Sequence, residues 1–326
     1  MRAMISAILV AFAAIPVAAR AGDAANKEIA ARVELHAIPS LTLSDQQFLA
    51  GDANGKAVTV TGEFRIAQGS GNLPVVILIH GSGGMGPNIE SWTRDLNAMG
   101  ISTFALDGFT GRGLTSVNTD QALLGRLAFT LDAYRVLDML AKHPRVDPAR
   151  IVLMGFSRGG QGALFASLKR FHQMWNKSGA EFAAYIPFYP DCSTTYLSDT
   201  EVDRPIRIFH GTPDDYNPVA SCRRYVERLR TAGRDVQLTE YPNAQHGFDN
   251  PLGTAAPLTA KGAQTVRNCR IAEEPKGILI NAVSKQPFTY RDPCVENDPH
   301  VNYDAEATRA AHVAVKDFLR VTFKME

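Results

Sequence analysis

Apolar and polar residues alternate over 58–66 (VTVTGEFRI), the period-two pattern of a half-buried antiparallel strand. A different pattern follows at 74–80, where PVVILIH runs unbroken in β-branched and aliphatic residues. Such a run fits a central strand covered on both faces. From there strand and helix patterns take turns. Helix is predicted at 88–99, 121–142, 159–169 and 218–232, strand at 101–106, 150–155, 182–188, 205–210 and 236–241. In the 121–142 helix Leu123, Leu124, Leu127, Leu131, Tyr134, Leu137 and Leu140 supply the apolar spacing. Alternation of this length predicts an α/β domain built on a mostly parallel sheet with helices on both faces. The rhythm fails at 251–303, which is polar and lacks a clear period, and returns in a closing helix at 304–319.

The N-terminus follows neither pattern. Arg2 precedes an apolar run over 3–14, Pro16 breaks it, and small residues lead to Ala21. That order reads as a secretory leader, residues 1–21, cut after Ala21 or Ala19, with an uncleaved anchor as the alternative. The expected location is periplasmic or secreted, with no membrane span left after cleavage. Export bears on the four cysteines, which have no C-x-x-C spacing and so do not resemble a zinc site. In an oxidising compartment an even number suggests two disulfides. Three connectivities are open; Cys192–Cys222 and Cys269–Cys294 are favoured, the first joining the ends of neighbouring strands, the second stapling the 251–303 excursion. The rest, 22–326, reads as one domain.

Bulk composition excludes more than it selects. The 326 residues are 45% hydrophobic and 21% charged with a net charge of +1, which gives no reason to expect nucleic acid or a strongly anionic partner.

Candidate chemistry gathers at predicted strand ends, where ligands bind in open parallel sheets. The sequence GFSRGG at 155–160 places Ser157 in a strand–turn–helix bend. The G-x-S-x-G pattern arises by accident in about one chain in ten of this length, so it needs partners. IHGSGGMG at 79–86 follows a central strand and offers the N–H of Ser82 or Gly83, with that of Arg158, as an oxyanion hole. FHGTPDDYNP at 209–218 holds Asp214 and Asp215, either of which serves as a triad acid or as a cap of the next helix. Among the histidines that follow them, His246 lies just past the last strand, His300 in the excursion and His312 inside the final helix. His246 is therefore the candidate base in the order Ser, acid, His. Arg112 and Arg158 are placed near the pocket mouth as possible partners of an anionic substrate.

These segments, together with LDGFTGRG, RVDPARIVLMGFSRGG, FYPDC and HGTPDDYNPVASC, resemble the dienelactone hydrolase family of α/β-hydrolases over about 74–319. The resemblance implies an α/β-hydrolase fold and hydrolytic chemistry. It also favours Asp214, because Gly211, Asp214 and Pro218 match the family's G-x-x-D-x-x-x-P. The chain departs from the founding member in carrying serine where that enzyme has cysteine, and in the 251–303 segment, so the substrate is not carried over. The expectation is a serine hydrolase acting on a small-molecule carboxylic ester or lactone, needing no metal or organic cofactor. An acyltransferase on the same residues and a non-catalytic binding protein on the same fold are the competing classes.

Overall fold

The computed structural model describes residues 27–325; the leader predicted at 1–21 lies outside them. Its centre is an eight-stranded sheet in the order β1-β2-β4-β3-β5-β6-β8-β9. The strands are β1 (Arg32–Thr42), β2 (Lys56–Ile66), β3 (Leu73–Ile79), β4 (Ser102–Asp107), β5 (Val146–Phe156), β6 (Ala184–Phe188), β8 (Ile206–Gly211) and β9 (Val236–Tyr241), with the two-residue β7 (Thr194–Thr195) outside the sheet. β1 and β2 run antiparallel, as do β2 and β4; all later pairings in the sheet are parallel.

The unbroken apolar runs have a simple cause. In β3, Val75, Ile77 and Ile79 enter one core while Val76 and Leu78 enter the other. β5 does the same with Ile151 and Leu153 against Val152, Met154 and Phe156. One core is closed by helices α3 (Ala128–Ala141), α4 (Arg158–Phe165), α5 (Lys169–Trp175) and α6 (Val219–Thr231), the other by α2 (Pro87–Ala98) and α7 (Ala305–Phe323). Each buried aliphatic side chain contributes about 1.5–3 kcal/mol, so the two central strands anchor the fold. A short helix, α1 (Asp45–Ala50), precedes β2 and opens on a capping box between Ser44 and Gln47.

Several expectations need correction. β1 was not anticipated; Pro39 and the polar residues of RVELHAIPSLT suit an edge strand, which in the sheet pairs with β2 alone. The helix expected over 121–142 begins only at Ala128. Residues Gln121–Leu123 form a 3₁₀ turn, and the chain between turns its polar groups inward. The helix expected over 159–169 ends at Phe165, and α5, which was not expected, begins at Lys169. The 251–303 segment is not irregular: it carries β10 (Leu258–Thr259), β11 (Gln264–Thr265), β12 (Ile271–Glu274), β13 (Ile278–Asn281), β14 (Glu296–Asn297) and β15 (His300–Val301), of which β12 pairs in parallel with β7.

Both cysteine pairs are bonded, Cys192 to Cys222 and Cys269 to Cys294. The first does not join two strand ends, because Cys222 lies in α6; it ties the loop after β6 to that helix. Among the described residues no helix is long and apolar enough to cross a membrane.

Candidate active site

Ser157 sits between β5 and α4 with φ 55° and ψ −114°, a strained conformation for a residue with a side chain. The bend is tight enough that a Cβ on Gly155 would overlap the Gly159 carbonyl, and one on Gly159 the Ile79 carbonyl. Glycine at both positions lets the strand turn directly into the helix and lifts the hydroxyl clear of the sheet. As the first helical residue, Arg158 has a backbone N–H without an intrahelical acceptor.

Three side chains from three strand ends meet here. Ser157 Oγ lies 2.8 Å from His246 Nε2, and His246 Nδ1 lies 2.9 Å from Asp214 Oδ2. With the proton on Nδ1, the imidazole donates to Asp214 and accepts from the serine hydroxyl. Asp214 uses its other oxygen to accept the N–H groups of Tyr216 and Asn217, both at 2.9 Å. It thus fixes the loop and holds the imidazole together. Burial pushes its pKa up, but the charge of His246 and the hydrogen bonds from His210 and His246 outweigh this and hold it well below the usual carboxylate range. Asp215 takes a separate partner set, accepting from Arg267 Nη1 at 3.0 Å and from the backbone N–H of His300 at 2.8 Å, with His300 Nδ1 2.9 Å away. His312 stacks on Trp92, ring centroids 3.7 Å apart, and pairs with Asp95.

The imidazole of His246 is held by more than the carboxylate. Tyr216 and Tyr189 bring their rings to 4.5 and 4.7 Å from it. The Gln245 N–H donates to Asn302 Oδ1 at 2.7 Å, which fastens the histidine loop to the end of the 251–303 excursion. Neither the tyrosines nor Asn302 carried a sequence signal, since the partners they meet around His246 lie 30 to 57 positions away in the chain.

Ser82 lines the cavity beside Ser157, whereas Gly83 does not and instead approaches Asn118. Arg158 points inward and is buried. Its guanidinium donates to Gln121 Oε1, to the Gln121 carbonyl and to the carbonyls of Leu124 and Gly125. Ser82 Oγ donates to the same Gln121 Oε1 at 3.2 Å, so one glutamine spans both loops expected to form the oxyanion hole. Gln121, at the start of the helix expected over 121–142, instead lies in the 3₁₀ turn that precedes α3. Arg112 is also corrected. It is not at a pocket mouth: its guanidinium is bonded to Asp132 at 2.7 and 2.9 Å and to the carbonyls of Gly108 and Leu41, with 3% of the side chain exposed. A buried arginine next to a buried carboxylate satisfies that charge and leaves nothing for a substrate.

The model of the dienelactone hydrolase family matches residues 63–279. The chain belongs to the dienelactone hydrolase family. A similar solved structure is a dienelactone hydrolase-like promiscuous phosphotriesterase, P91, from metagenomic libraries, at 18% identity and a TM-score of 0.56 over 89% of this chain and 98% of that one. Another, m3DLH, has the same identity, TM-score and coverage. Both share the α/β-hydrolase fold with this family member. A curated relative, the uncharacterized peptidase YuxL of Bacillus subtilis (strain 168), is 23% identical over 215 residues, 56% of this chain. The match spans about a third of that relative's length, 32%.

Proposed function

We propose that this member of the family is a serine hydrolase that cleaves a carboxylic ester or lactone through an acyl-enzyme. The observation that carries the reading is the continuous hydrogen-bond line from Ser157 Oγ through His246 to Asp214. His246 takes the Ser157 proton as the oxygen attacks the ester carbonyl, and Asp214 holds the tautomer and stabilises the imidazolium. The N–H groups of Arg158 and Ser82 receive the oxyanion, each worth about 3 kcal/mol in the transition state. His246 then protonates the departing alcohol, and water, activated by the same imidazole, releases the acid.

A fluorophosphonate probe tests the assignment. It labels the wild type and not Ser157→Ala; absence of labelling in folded wild type overturns it. We also propose that residues 22–326 form one exported domain, a reading supported by the leader pattern and the two disulfides. Cell fractionation with non-reducing electrophoresis checks it, and protein found reduced in the cytoplasm refutes it.

A further inference from the structure

Tyr189 is buried, 3% exposed, and holds a backbone conformation that a bulky residue rarely adopts, with φ at 36°. Such an outlier persists only where its surroundings over-determine it, and outliers of this kind gather at functional sites. The surroundings here reach Ser157, Asp214 and His246 in turn. Phe188, the residue before, takes the Ser157 N–H on its carbonyl at 3.0 Å. The Tyr189 carbonyl accepts from Asn217 Nδ2 at 2.9 Å, and the Asn217 N–H donates to Asp214 Oδ1 at 2.9 Å. The Tyr189 ring meets the His246 imidazole in a T-shaped contact, with centroids 4.7 Å and planes 62° apart.

The ring is aimed from its far end. Tyr189 Oη donates to Asp249 Oδ1 at 2.5 Å, the length of a hydroxyl bonded to a carboxylate. Asp249 is 1% exposed, and its other oxygen accepts from Trp92 Nε1 at 2.9 Å and Asn88 Nδ2 at 3.4 Å, both on α2. All three bonded partners are uncharged. Burial pushes the Asp249 pKa up, and the three hydrogen bonds act against the rise. A carboxylate buried among neutral donors costs stability, and what it supplies here is direction, since it fixes where the tyrosine hydroxyl lies. Asp249 also follows His246 by three residues, so the group that aims the ring and the imidazole that meets it share one loop. We propose that Tyr189 is a positioning residue for His246, holding the imidazole in line with Ser157 and Asp214, and that Asp249 holds Tyr189 in that place. The inference rests on the hydrolase reading above.

The test removes either end of the hydroxyl–carboxylate contact while keeping shape: Tyr189→Phe, Asp249→Asn and the double variant. Each single variant is expected to lower kcat on a small ester about tenfold with KM little changed, because a displaced imidazole loses its line to Ser157. The double variant shows the same loss as either single one, since both act on one contact. The rate of fluorophosphonate labelling falls in the same proportion. A readout without turnover is the far-downfield NMR resonance of the His246 Nδ1–H held by Asp214, seen with isotope-labelled histidine and assigned by its absence from His246→Gln. It broadens or shifts in each variant. A tyrosine that only fills space would lower Tm on losing its hydroxyl and leave kcat, labelling and this resonance alone. That outcome overturns the inference, as do losses that multiply in the double variant. Should Tyr189→Phe not fold, Asp249→Asn, which leaves the ring intact, carries the same readouts. Variants that label as fast as a reactive wild type sink the positioning inference alone. A wild type that does not label sinks the hydrolase reading, and the resonance still decides whether Tyr189 positions His246.

Discussion

Gln121 Oε1 accepts from Arg158 Nη2 at 2.8 Å and from Arg158 Nε at 3.2 Å, so an uncharged side chain receives a buried cation next to the reactive serine. Ser82 Oγ leans on the same oxygen. The bond joins the loop after β3 to the start of α4, the two places from which the oxyanion would be held.

Replacing Gln121 by Leu takes the shared acceptor away and leaves part of the Arg158 guanidinium buried and unpaired, at a cost of about 1.5–3 kcal/mol. The expected outcome is a fall in kcat of about 10–100-fold with KM changed much less, because the loss is felt where the oxyanion forms. Steady-state kinetics on a single ester reads the split; an increase in KM with kcat intact would assign Gln121 to substrate binding.

Ser157 holds a backbone conformation that glycine adopts at lower cost. Ser157→Gly is therefore expected to be inactive yet more stable than wild type by about 1 kcal/mol, a rise in Tm of about 1.5–2 °C. Calorimetry checks this. A lower Tm would show that the bonds of the hydroxyl outweigh the strain.

Asp214→Asn keeps the shape of the side chain but favours the wrong tautomer of His246, and kcat is expected to fall about 10³–10⁴-fold. Stability carries a second signature. The native pKa of Asp214 lies below the ordinary value of 3.8. Its contribution is therefore complete above about pH 4 and is lost as pH falls below 3.8 towards the native value. Denaturation midpoints of wild type and Asp214→Asn should converge as pH is lowered through this range. A constant difference would mean that the carboxylate charge does not stabilise the fold.

The Cys269–Cys294 bond closes 25 residues of a segment that supplies Gln264, Thr265, Val266 and Tyr290 to the cavity wall. Replacing both cysteines by serine should cost about 3.5 kcal/mol on the chain-entropy account. It should also raise the relative rate on bulky esters, since the wall loses its brace. A panel of esters of increasing size reads the second effect; an unchanged size profile would show that Asp215, Arg267 and His300 hold the wall unaided.

Arg112→Ala should leave the preference between neutral and carboxylate-bearing esters unchanged while lowering stability by about 3–5 kcal/mol, because Asp132 would be left buried and uncompensated. Denaturant unfolding together with a two-substrate comparison decides this. A shift in preference would return Arg112 to the site.

What could be read along the chain was whatever depends on neighbours in sequence. Unbroken β-branched runs announced β3 and β5, because both faces of those strands are buried. Gly155 and Gly159 marked the Ser157 bend, because the steric demand lies within one turn of chain. The order of Ser157, Asp214 and His246 was legible because each follows a strand, and parallel strands bring their ends to one edge of the sheet. The edge strand β1 was not legible, since a strand paired on one side needs little apolar content. Nor were the orientations of arginine side chains. Arg112 and Arg158 look alike in sequence, and only packing decides that one turns to Asp132 and the other to Gln121. Desolvating a guanidinium is costly, so its direction follows from which acceptors the folded chain brings within reach, here 20 and 37 residues away in sequence. Tertiary structure alone likewise made Gln121 a clamp between Ser82 and Arg158.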